Sequence, residues 1–111
     1  MFEDDEIRLK HILDAAREAV GFTEGHCRED LDTDRKLSLS LVRLLEIIGE
    51  AAKGITAEFR QEHSELPWKS MVGMRDRLIH GYFNVNLDIV WKTVINDLPP
   101  LINKLETIIT S

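Results

Sequence analysis

The sequence predicts an all-α fold, an up-and-down bundle of four to five helices, on three observations. Apolar residues recur at i, i+3, i+4 and i+7 through most of the chain. Capping and helix-starting residues stand at the segment boundaries: Asp32-Thr33-Asp34, Pro67 and Asn86. Only one stretch, 83–89, alternates in a strand-like way. With 111 residues, one domain covering 1–111 is expected. A chain of this length buries roughly two-thirds of its unfolded surface, enough for one core.

The first helix is expected from about Asp4 to Val20, with Leu9, Ile12, Leu13, Ala16 and Val20 on one face and Gly21 as its stop. Asp4, Asp5 and Glu6 suit the positive end of its dipole. A long connection follows to Thr33, with a helical turn around Arg28 to Leu31. The second helix starts near Asp34 and carries the stripe Leu37, Leu41, Leu44, Ile48, Ala51 and Ile55, running through Phe59 to about Glu62. Gly49 and Gly54 interrupt it, which implies close approach of another helix or a break near Gly54. Pro67 opens a third helix with Trp68, Met71, Val72, Met74, Leu78 and Ile79, ending at Gly81. Phe83, Val85, Leu87 and Ile89 alternate with polar residues, but the longer helical pattern Leu87, Val90, Trp91, Val94, Ile95 and Leu98, capped by Asn86, is preferred. Pro99-Pro100 begins or kinks a last helix.

Composition narrows the function. The net charge is −6 and the charged fraction 31%, which disfavours a general DNA coat, a specific DNA regulator and an anionic-membrane binder. No apolar run approaches the ~20 residues of a membrane span, and the acidic start lacks the look of a signal peptide. A cytoplasmic protein is the expectation. The lone Cys27 forms no internal disulfide and has no histidine-based nucleophile arrangement around it.

Reactive side chains concentrate in Met74-Arg75-Asp76-Arg77-Leu78-Ile79-His80-Gly81-Tyr82. Asp76 and Arg77 share a helical face with His80, whereas Arg75 points about 140° away from His80 on an ideal helix. The two converge if the helix unwinds at Gly81, or if two copies of the motif meet across a two-fold axis. A histidine exchanges protons near neutral pH and an arginine fork holds phosphate. Together they suffice for RNA cleavage without metal: one group removes the 2′-OH proton, another protonates the leaving 5′-oxygen, and arginine offsets the transition-state charge. Asp76 and His80 are two candidate metal ligands with no third nearby in sequence, so neither a metal nor a cofactor is expected. The plain reading of the same residues is a structural His–acid pair at a helix end.

Arg75-x4-His80-x-Tyr82 matches the R-x4-H-x-Y motif of the HEPN superfamily. The stretches Leu45 to Lys53, Pro67-Trp68, Gly73 to Phe83, Val90-Trp91 and Asn96 to Pro99 resemble its HepT branch, so the similarity spans nearly the whole chain. The resemblance implies a HEPN-like, all-α homodimer and the ribonuclease toxin of a toxin–antitoxin module. It implies Arg75 and His80 as the catalytic pair at a composite dimer-interface site, with Asp76 and Arg77 supporting. Asp76 stands where many members carry Asn. It also implies a partner, an MntA-like nucleotidyltransferase antitoxin that neutralises the toxin by AMPylation of Tyr82. The alternative is a non-catalytic HEPN binding partner of a nucleotidyltransferase.

Other residues have more modest expectations. Lys69, Arg75, Arg77 and Lys92 are candidates for a local basic patch holding RNA phosphates, scattered surface charge being the equal alternative. Glu46 and Glu50 could face the arginine-rich motif, against the commoner solvated face. Trp68 and Trp91 are expected in core or interface rather than as base-stacking platforms. His11, His26 and His63 are expected at the surface.

Overall fold

The computed structural model describes residues 3–78 and 84–110, and every regular element among them is helical. In order these are α1 (Glu3–Thr23), α2 (Asp30–Thr33), α3 (Arg35–Lys53), α4 (Ala57–Glu62), α5 (Trp68–Val72), α6 (Met74–Leu78), α7 (Leu87–Lys92), a π-helical segment (Thr93–Asp97) and α8 (Leu98–Thr110). The all-α expectation holds. The longest elements, α1, α3 and the continuous rod from α7 to α8, form the body, with α1 packed on both α3 and α8. Leu9, Ile12, Leu41, Leu45, Ile48, Met71, Leu78, Val90, Val94, Leu98 and Leu105 fill the core. Burying such side chains contributes ~1.5–3 kcal/mol each.

Helix α1 does not stop at Gly21; it continues to Thr23, whose hydroxyl donates back to the Val20 carbonyl at 2.7 Å. The stop comes at Gly25, whose φ of +77° is one that side-chain-bearing residues rarely adopt. Gly21 keeps a helical conformation instead, so periodicity alone could not separate the two glycines. Asp5, expected merely to meet the helix dipole, is fully buried. Its carboxylate accepts from Thr56 N at 2.9 Å and Thr56 Oγ1 at 2.7 Å, tying the start of α1 to the start of α4.

The expected long helix of the second segment is two helices. α3 begins at the Asp34 cap, whose side chain accepts from Leu37 N, and ends at Gly54. α4 restarts from Thr56, whose hydroxyl accepts from Phe59 N. Arg60 closes the break: its Nη2 donates to the Ala52 and Lys53 carbonyls at 2.8 and 3.1 Å, at the C-terminal end of α3. Both sequence alternatives for the glycines are therefore realised, the break at Gly54 and the close approach at Gly49. A Cβ on Gly49 would lie 3.3 Å from the Met71 carbonyl and 3.9 Å from Arg75 N. That contact seats α5 and α6 on α3.

The third helix is also divided. α5 and α6 are separated at Gly73, where the chain keeps near-helical angles (φ −84°, ψ 3°). Asn86 caps α7 as expected, its side chain accepting from Ile89 N at 3.2 Å. Its own N–H donates to Leu78 O at 2.7 Å, so the two flanks of segment 79–83 are tied together. Pro99 and Pro100 stand at the beginning of the last helix, as expected. They fall in the first turn of α8 just after the π-helical segment, in which Leu98 N–H reaches Thr93 O across five residues. The wider turn accommodates two residues that lack N–H donors.

Candidate functional site

Arg75 sits in the first turn of α6, directly over the Gly49 approach of α3. The absence of a side chain at Gly49 lets the α6 backbone come close, and Glu46, one turn earlier on α3, meets it. Arg75 Nε lies 3.4 Å from Glu46 Oε2, with the two side chains 53% and 23% exposed. The guanidinium is thus held by one edge at the surface while the rest of its fork faces solvent. Asp76 Oδ1 is 3.9 Å from Arg75 Nη1 and largely exposed, a weak contact. Arg77 Nη2 donates to the Ser70 carbonyl at 3.4 Å, folding back over α5.

Of the expected site residues, Arg75, Asp76 and Arg77 are brought to one short surface helix. His80 and Tyr82 lie outside the described residues, as does the end of the third helix at Gly81. Glu46 does meet the motif arginine, whereas Glu50 does not: it pairs with Arg43 at 3.4 Å on the solvent side of α3. The separation follows from the helix. Glu46 and Glu50 are neighbours on one face, but α6 crosses α3 near Gly49 and only the first glutamate reaches its arginine.

Two cavities flank α5 and α6. One, of about 240 Å³, lies between Pro67, Met71, Met74 and Arg77 on one side and Asp97 and Leu98 on the other. The larger, of about 810 Å³, is an open groove whose lining includes Arg60, Trp68, Lys69, Asp76 and Arg77. Lys69 and Arg77 share the larger groove, whereas neither Arg75 nor Lys92, the latter exposed on α7, lines either cavity, so the expected patch is met by two of its four residues. Trp68 is half-buried, packs against the core as expected and also forms part of the groove wall. Its Nε1 donates to the His63 carbonyl at 2.9 Å, and Phe59 meets it edge-on at 6.0 Å. Trp91 packs on the core as expected. His63 is not a free surface residue: its ring lies on Phe59 at 4.4 Å. His11 and His26 are exposed.

Remote from this region, Asp30 Oδ2 accepts from Cys27 N at 3.0 Å and lies 2.9 Å from His26 Nδ1. The Cys27 N–H and then the His26 contact hold the Asp30 carboxyl below its ordinary value. The Cys27 thiol is exposed and held above its ordinary value, chiefly by the hydrogen bond with the Glu29 side chain, the opposite of an activated nucleophile. Arg28 joins this loop to α7 through Asp88 at 2.7 Å. Among the described residues, no group of three or more His, Cys, Asp or Glu side chains could hold a metal ion, and no helix is long and apolar enough to cross a membrane.

Comparison with known proteins gives one consistent result. A protein of Caldanaerobacter subterraneus subsp. tengcongensis, named as a candidate RNase, is 44% identical over 101 residues, covering 91% of this chain and 90% of the relative. One of Thermococcus cleftensis, named as a probable ribonuclease HepT, is 45% identical over 98 residues, covering 88% and 89%. One of Methanocaldococcus jannaschii, named as a candidate RNase, is 38% identical over 101 residues, covering 91% and 84%. No solved structure matches the chain. The description "Ribonuclease HepT-like" fits residues 12–108, from within α1 to near the end of α8. With that match spanning nearly the whole helical body and the arginine of the motif exposed on it, the chain belongs to the ribonuclease HepT-like family.

Proposed function

We propose that this ribonuclease is the toxin of a toxin–antitoxin module. It is a homodimer that cleaves RNA without metal, using Arg75 and His80 at a composite site between protomers. The observation that carries the reading is the state of Arg75. In an acidic protein its guanidinium stands half-exposed, gripped through Nε by Glu46, so that most of its fork faces solvent. That is the posture of a phosphate ligand.

In this mechanism one His80 takes the proton from the 2′-hydroxyl. The 2′-oxygen attacks phosphorus, the bond from phosphorus to the 5′-oxygen breaks, and His80 of the second protomer supplies the proton to that leaving oxygen. The products are a 2′,3′-cyclic phosphate and a 5′-hydroxyl. Arg75 offsets the charge of the pentacoordinate transition state. Neutralisation is by a nucleotidyltransferase antitoxin: the Tyr82 phenol oxygen attacks the α-phosphorus of ATP, pyrophosphate leaves and the phenol proton is lost. The attached AMP puts negative charge and bulk where RNA phosphate binds.

The test is cleavage of total RNA by the purified protein in EDTA. His80→Ala and Arg75→Ala are each expected to lose 10²–10⁴-fold in rate, the usual range for a missing acid–base group, with helicity unchanged. Full activity in His80→Ala, or loss of all wild-type activity in EDTA, would falsify the mechanism. Tight binding of a nucleotidyltransferase by a chain that cleaves no RNA would favour the non-catalytic partner instead.

A further inference from the structure

Helices α5 and α6 present two flanks. One carries Arg75 against Glu46. The other opens onto the 810 Å³ groove, a volume in the range of pockets that hold small ligands. Its lining includes three cations, Arg60, Lys69 and Arg77, against one carboxylate, Asp76. In a chain of net charge −6 this local excess of positive charge runs against the composition.

The aromatic wall is built in advance. The Trp68 indole N–H is already satisfied by the His63 carbonyl, and Phe59 fixes the ring edge-on. The Arg60 guanidinium carbon lies over one face of the Trp68 ring, 6.0 Å from its centroid, and its Nη2 is committed to the C-terminal carbonyls of α3. An indole so fixed contributes apolar surface without a polar group to satisfy. Lys69 faces no carboxylate within ion-pair distance among the described residues, and Arg77 contacts a neutral carbonyl. Asp76 joins the two flanks, lining the groove while lying 3.9 Å from Arg75.

We infer that this groove is a subsite for single-stranded RNA, in which Trp68 stacks an unpaired base while Lys69 and Arg77 hold its flanking phosphates, leading the strand past Asp76 to Arg75. The inference rests on the ribonuclease reading and extends it from the reacting phosphate to the nucleotide beside it. A duplex is disfavoured because its bases are already stacked on one another, whereas splayed bases stack on aromatic rings. An acidic peptide would satisfy the cations but make no use of the indole surface that lines the groove.

The probe is a 2′-O-methyl oligoadenylate dodecamer, which lacks the attacking hydroxyl and stays intact. Trp91→Phe leaves Trp68 as the sole tryptophan, so its emission reports the groove. Saturable quenching on titration is expected. Lys69→Ala and Arg77→Ala are each expected to lower the slope of log Kd against log salt by about 0.7, one phosphate contact on a single strand. Trp68→Leu, checked for native helicity, is expected to weaken binding by about tenfold, the scale of one stacked base. With cleavable RNA, the effect of Lys69→Ala is expected in KM rather than kcat, because the residue binds away from the reacting phosphate. If the wild type cleaves RNA but Trp68 emission is unmoved, the groove assignment fails and the ribonuclease reading stands. A reduced salt slope without quenching also overturns it, since the groove then holds an anion without a base. If the wild type neither binds nor cleaves RNA, both fall together.

Discussion

Arg75 shows how much of this site depends on single contacts. Its charge is balanced by Glu46 from α3 and approached by Asp76 from its own helix, so two carboxylates would compete with the RNA phosphate of the proposed site. Glu46 is the positioning residue of the pair. Glu46→Gln keeps the length and an acceptor but removes the charge. Its kcat is expected to fall by up to about fivefold, the scale of one partly exposed ion pair, while KM falls or holds. A purely structural role would leave that split absent and lower the melting temperature instead. Asp76→Asn is expected to tighten RNA binding, since a carboxylate beside the phosphate path is removed; weaker binding by anisotropy would show that Asp76 accepts a hydrogen bond that matters more than its charge.

At the scale of elements, the short helices are where chemistry meets packing. α5 and α6 sit on α3 because Gly49 lacks a side chain. Gly49→Val would drive atoms into the backbone of Met71 and Val72, which cannot swing aside as a side chain can. A loss of ~1–3 kcal/mol in urea unfolding is expected, with ribonuclease activity falling alongside because Arg75 rides on the displaced helix. Gly21→Ala makes the contrast. Nothing lies within 4 Å of an added Cβ and the residue is helical, so a gain of up to ~1 kcal/mol is expected. The turn before α2 offers a pH test. Folding depresses the Asp30 carboxyl, so its stabilising effect is present above the ordinary carboxylate range and is lost as pH falls through the lowered value. The melting temperature of Asp30→Asn is expected below wild type at neutral pH, and the gap is expected to close in strong acid.

For the whole molecule, the governing question is how an arginine and a histidine five residues apart reach one phosphate. On one ideal helix they diverge by about 140°. The division at Gly73 lies before Arg75, and His80 lies outside the described residues. Two copies sharing a two-fold axis, as in the proposed dimer, would resolve it, as would unwinding at Gly81. Light scattering at micromolar concentration is therefore expected to give twice the 12.8 kDa chain mass. A monomer that still cleaves RNA would refute the composite site. Co-expression with a nucleotidyltransferase partner and intact-mass analysis are expected to show AMP on Tyr82, with Tyr82→Phe escaping modification and remaining toxic.

The helical class, the Asn86 cap, the break at Gly54, the approach at Gly49 and the arginine-rich segment were all legible in one dimension. Each rests on local rules: period, capping, backbone freedom and residue chemistry at fixed spacing. Tertiary structure decided the rest, because the deciding partner lies far along the chain. Asp5 became a buried carboxylate only by meeting Thr56, 51 residues away. Gly25 rather than Gly21 ended α1 because both glycines offer the same freedom and the sequence does not state which one bends. Glu46 and not Glu50 holds Arg75, since the crossing point of α6 on α3 is a property of packing. Trp68 packs on the core and also walls a groove, with Phe59 edge-on to it and its N–H satisfied by the His63 carbonyl, contacts that periodicity does not reveal.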